Sequence, residues 1–143
     1  MEISSEQIAR FREDGFVSVD GLLDERGVEA ARNAFDALFR SEFERGILPD
    51  EVNWKEGKSD PTLTRQICNG WKANAAVARI VLREDIGQAI ATLADWHGTR
   101  ILQDNLIWKP TGARPLGYHQ DSAYLPWLAP QAMVSCWIAL DDT

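Results

Sequence analysis

The chain has 143 residues, 45% of them hydrophobic and 26% charged, which is enough apolar material for one packed domain and too much for a disordered polymer. Its 22 acidic residues outweigh 15 basic ones, for a formal charge of -7; no basic stripe is available to neutralise phosphates, so nucleic acid is excluded as the expected partner and a small molecule is favoured. No signal-peptide pattern opens the chain, and no run approaches the ~18 apolar residues of a membrane span, so a soluble, cytoplasmic protein is expected. Cys68 and Cys136, the only cysteines, lie too far apart in sequence for a zinc knuckle and are expected to be two buried free thiols.

In chain order, Ile3-Ser4-Ser5-Glu6-Gln7-Ile8 carries a helix start, with Ser4 as cap and Gln7 three residues on for a capping box. Asp14-Gly15 should end that helix, and Phe16 to Val19 alternates like a strand. Asp24 is the expected N-cap of a long helix running to Gly46, with Val28, Ala31, Phe35, Leu38 and Phe39 on its core face. From Ile47 to Pro61 the chain reads as a polar loop. Asn74 to Leu82 and Asp85 to Trp96 are expected as two more helices, the second stopped by Gly98. His97, beside that stop, is best explained as a residue favoured by the helix macrodipole. Beyond it three strands are expected, Arg100 to Lys109, Gly117 to Ser122 and Met133 to Leu140. Helices first and a sheet after is an α+β order, with the helical part over about 1–98 and strands from about 99.

The chemistry concentrates at His119-Gln120-Asp121. In extended backbone, residues i and i+2 share a face, so His119 and Asp121 would point into one cavity with Gln120 turned away. An imidazole and a carboxylate are two of the three ligands of the 2-His-1-carboxylate facial triad, which leaves open positions on Fe(II). Taken alone, the tripeptide is better explained by a His and an Asp that hydrogen-bond each other. Between Arg100 and Lys109, Gln103, Asn105 and Lys109 interleave with Ile101 and Ile107. That mixture suits an apolar cavity with donors for an anion, and equally an edge strand with one solvated side. In the last strand Trp137 could wall the cavity or simply pack. Tyr124 and Trp127 could roof a substrate, and Arg65, Lys72 or Arg114 could meet a substrate carboxylate.

From Lys109-Pro110 through His119-Gln120-Asp121 to Val134-Ser135-Cys136-Trp137-Ile138-Ala139-Leu140-Asp141-Asp142, and again in Phe11, Asp14-Gly15-Phe16-Val17 and Gly21-Leu22-Leu23, the chain resembles the phytanoyl-CoA dioxygenase-like (PhyH) family of Fe(II)/2-oxoglutarate oxygenases. The resemblance covers almost the whole chain and is weakest between Ile47 and Trp71. It implies N-terminal helices packed on a double-stranded β-helix (jelly-roll) core, His119 and Asp121 as iron ligands, and Gln103, Lys109 and Trp137 near 2-oxoglutarate. It further implies Fe(II) and 2-oxoglutarate as cofactors, O2 as co-substrate, and hydroxylation of a small molecule with release of succinate and CO2. The carboxylate of Asp121 stands where a halogenase of this kind would have a small residue.

The family pattern continues with a distal iron-binding His and an Arg for the far carboxylate of 2-oxoglutarate, whereas the chain stops 22 residues past Asp121. The expectation is therefore a single family domain over residues 1–143, incomplete at its C-terminus, holding iron weakly and inactive by itself. The alternative is a jelly roll that binds a ligand without catalysis, or holds another metal such as zinc.

Overall fold

The computed structural model describes residues 1–130 and 132–142. Its described elements are α1 (Ser5–Asp14), α2 (Glu25–Phe39), β1 (Glu51–Val52), β2 (Arg65–Cys68), a 3-10 turn (Gly70–Lys72), α3 (Ala75–Val81), α4 (Glu84–Ala94), β3 (Asn105–Trp108) and a second 3-10 turn (Asp121–Tyr124). No helix among them is long and apolar enough to cross a membrane.

The helices begin where local hydrogen bonding tells them to. At Ser4 the Gln7 N–H donates to Oγ at 3.2 Å and the Ser4 N–H donates to Gln7 Oε1 at 2.9 Å, so two otherwise orphaned donors are satisfied reciprocally. Asp24 accepts the Gly27 N–H at 2.8 Å, and Asn74 accepts from Ala76 and Val77 at 2.9 and 3.2 Å. The ends are less regular. α2 stops at Phe39 rather than near Gly46, because Ser41 turns left-handed at φ 64°. α4 stops at Ala94 rather than Trp96, with Asp95 taking the left-handed turn expected of Gly98. His97 therefore lies beyond the last helical turn, and the macrodipole account of it fails.

One antiparallel sheet of order β1-β2-β3 forms the other layer. β2 is its centre, yet no strand was expected there, and β1 lies inside the expected loop. Ile67 of β2 stands opposite Leu106 of β3, and both point into a core shared with Leu38 and Phe39 of α2, Trp54, Ala73 and Val77 of α3. Leu38 and Ile67 are fully buried, which stabilises the fold by about 1.5–3 kcal/mol each. Ala34 joins α2's buried set, while Phe35 is only packed against it.

The four expected strands need correction. Phe16 to Val19 forms no strand, and Phe16 is exposed. The strand expected over Arg100 to Lys109 is confined to Asn105–Trp108, since only those residues face a partner ladder. Gly117 to Ser122 and Met133 to Leu140 are not strands either: alternation alone cannot hold a strand whose N–H and C=O groups meet no neighbour. Among the described residues the architecture is α+β, with one small three-stranded sheet. The thiols are free as expected, but Cys68 is half-buried and Cys136 exposed.

The passage from β2 to α3 is a polar knot. Asn69, left-handed at φ 56°, donates from Nδ2 to Asp50 at 2.7 Å and accepts at Oδ1 from the Trp71 indole at 3.2 Å and the Asp104 N–H at 3.3 Å. Lys72 Nζ closes the knot on Asp50 at 2.6 and 2.8 Å, which commits that amine to a partner inside the fold. Gly70 follows, where a Cβ would lie 2.6 Å from Leu106 Cδ1 and force that side chain to shift.

Candidate metal centre

After β3 the chain turns at Pro110–Gly112, where Ala113 N–H bonds Pro110 O at 3.0 Å and Gly112 takes φ 80°. It then runs extended, with Gln120 at φ -111°, ψ 124°. That one extended residue brings the flanking side chains onto the same side, although no ladder supports it. Gln120 is followed at once by the 3-10 turn Asp121–Tyr124, which swings Tyr124 back so that its ring stands edge-on to His119, with centroids 5.8 Å apart.

Each of the two polar side chains is held at one atom and open at the other. His119 Nδ1 lies 2.9 Å from Gly117 O; a carbonyl can only accept, so Nδ1 carries the hydrogen and Nε2 of the neutral ring is left with its lone pair. Asp121 Oδ2 accepts from Ser135 Oγ at 2.6 Å. The remaining pair, His119 Nε2 and Asp121 Oδ1, face each other at 3.3 Å. Two lone pairs at that distance repel unless a proton or a cation lies between them. Two adjacent ligands about 2.1 Å from an octahedral cation stand about 3 Å apart, so this nitrogen and oxygen fit neighbouring positions of one divalent ion. The described residues contain no cluster of three His, Cys, Asp or Glu side chains around a common point. His97 does not join the pair.

The other candidates scatter around this point. Gln103, Lys109, Tyr124 and Trp137 border the same open concavity of about 3140 Å³ as His119 and Asp121, a broad face rather than an enclosed pocket. All four are exposed. Trp127, 66% exposed, lies outside that concavity, as does Arg65, whose guanidinium is stacked on aromatic rings instead.

Two residues with a part in this region escape sequence reasoning. Ser135 falls there only within the strand expected over Met133 to Leu140, and its contact with Asp121 spans 14 residues. Asp104, also bordering the concavity, accepts the Trp71 N–H at Oδ1 at 3.2 Å. Its Oδ2 is buried with no hydrogen-bond partner among the described residues. Burial pushes its carboxyl above the usual carboxylate range, against the opposing pull of the Trp71 and Gly70 amides. Only the charged residue inside an otherwise apolar alternation, Leu102-Asp104-Leu106, hints at it.

Among curated proteins and solved structures none matches the chain. A family pattern described as Phytanoyl-CoA dioxygenase (PhyH) matches residues 11–143, from the last turn of the first helix through the sheet to the His119–Asp121 pair and beyond. With all but its first ten residues matched, the chain belongs to the phytanoyl-CoA dioxygenase (PhyH) family.

Proposed function

We propose that this protein is a non-haem Fe(II)- and 2-oxoglutarate-dependent dioxygenase that hydroxylates a small organic molecule, with His119 and Asp121 as two of its iron ligands. The family belongs to the superfamily of such oxygenases. The observation that carries the residue assignment is the facing of His119 Nε2 and Asp121 Oδ1 at 3.3 Å while their other polar atoms are tied to Gly117 O and Ser135 Oγ. When bound, such an iron centre couples oxidative decarboxylation of 2-oxoglutarate, to succinate and CO2, with insertion of oxygen from O2 into a substrate C–H bond.

The chain's own contribution is placement. Gly117 O fixes the tautomer that leaves His119 Nε2 free to ligate, and Ser135 aims Asp121. Gln103 and Lys109 supply donors for the carboxylates of 2-oxoglutarate, and Trp137 walls them from water. Tyr124 holds the His119 ring on one side and, with Trp127, presents an aromatic surface to the substrate. On this reading the extended runs around His119 and Trp137 belong to the double-stranded β-helix core of the family.

The test is conversion of 2-oxoglutarate to succinate under O2 with added Fe(II). Succinate formation that depends on this site should be abolished in both His119→Ala and Asp121→Ala. Iron binding of equal strength in the protein and in both variants would overturn the ligand assignment. Binding of metal or ligand without any turnover would favour a non-catalytic binding protein.

A further inference from the structure

Arg65 opens β2 opposite Trp108 of β3, and its guanidinium carbon lies 3.9 Å from the Trp54 ring centroid and 4.3 Å from that of Trp108. The planar cation is thus stacked on two indoles, whose electron-rich faces attract it. The indoles are themselves fixed. Phe39 stands edge-on to both, with centroids 6.4 and 5.9 Å away, and the Trp54 N–H donates to Asp60 O at 3.0 Å.

Stacking occupies the faces of a guanidinium and leaves its N–H edge unused. Here Nε is buried and has no hydrogen-bond partner among the described residues, and Arg65 enters none of their ion pairs. Among the described residues Arg10, Arg32, Arg40 and Arg83 each meet a carboxylate and the other arginines form no ion pair; what sets Arg65 apart is its stack on two fixed rings. The rings hold this half-buried cation by its faces and cannot satisfy its N–H donors.

We propose that Arg65, clamped between Trp54 and Trp108, is an oxyanion-binding site that takes a carboxylate or phosphate group of a ligand on the in-plane edge of the guanidinium. The site is independent of the iron reading, since neither His119 nor Asp121 takes part.

The probes are sodium acetate and inorganic phosphate, titrated separately at constant ionic strength into the full chain, with the Trp54 and Trp108 indole N–H signals followed by NMR and assigned through Trp→Phe variants. A saturable shift of those two signals is expected with at least one probe. Arg65→Lys, which keeps the charge but loses the fork and the stack, should weaken it at least about tenfold, and Arg65→Gln should remove it. Saturation by acetate alone assigns the site to a carboxylate ligand, by phosphate alone to a phosphate ester, and by both to oxyanions in general. A linear, non-saturating response to both probes would overturn the proposal. So would an unchanged titration in Arg65→Lys, a variant whose fold can be checked by its indole spectrum before any anion is added.

Discussion

Asp121 is held by Ser135 at one carboxylate oxygen and left open at the other, which makes Ser135 the residue that separates aiming a ligand from being one. Ser135→Ala should lower metal affinity by about tenfold or more, within the range seen for groups that orient ligands, while Ser135→Thr should restore it. A Mn(II) or Fe(II) titration measures both. A second expectation concerns acid. Arg83 holds the Asp85 carboxyl well below its ordinary value of 3.8, chiefly through its hydrogen bonds, and Lys72 and Asn69 lower Asp50 in the same way. A carboxylate depressed in the folded state contributes stability that is complete above its unfolded value and is lost as pH falls through the folded one. Urea midpoints should therefore drop as pH falls below about 4, and less steeply in Asp85→Asn. Asp104, raised by burial, acts in reverse: protonation relieves it, which offsets part of the acid loss. At this scale the pairing of His119 with Asp121 was legible, because i and i+2 across one extended residue is a local relation. Neither the Ser135 contact nor the buried Asp104 oxygen was, because both depend on where distant backbone passes.

Among the elements, the helices were read from residues that act within one turn. Ser4 with Gln7, Asp24 and Asn74 each satisfy donors three residues away or fewer, so their signals survive without knowledge of the fold. Strands carry no such local signal. β2 is four residues long with one fully buried position, Ile67, and it is a strand because Asn105–Trp108 and Glu51–Val52 flank it. The tight passage out of β2 yields a sharp test. A methyl group at Gly70 would press on the Leu106 side chain and touch Leu38, so Gly70→Ala should cost about 1–3 kcal/mol by overpacking. A lowered urea midpoint at unchanged slope would show it, and a midpoint unmoved would mean that Leu106 has room to turn aside. A paired Leu106→Val substitution should return part of the loss by vacating the space the methyl needs.

Across the whole molecule, composition excluded the large classes and the spread of motifs pointed to the family, which the match over residues 11–143 establishes. Arg32 of α2 gathers the far end of the chain, bonding Leu140 O at 2.8 Å and pairing with Asp141. Because both side chains of that pair are largely exposed, Arg32→Ala should change global stability by no more than about 1 kcal/mol, yet raise amide exchange selectively over residues 132–142. Exchange that stays flat there would mean the segment is held by its apolar side chains instead.

The pairing of Arg65 with Trp108 and of Ile67 with Leu106 joins residues about forty apart, with α3 and α4 lying between them. A loop of that length must close before the sheet returns any contact energy, whereas each helix can form from neighbours. The sheet is therefore the slow event in folding, and the helix caps are bystanders to it. Ile67→Val should slow refolding in a chevron experiment, while Ser4→Ala should act mainly on the unfolding rate; refolding slowed as much by Ser4→Ala would place the first helix, not the sheet, in the rate-limiting step.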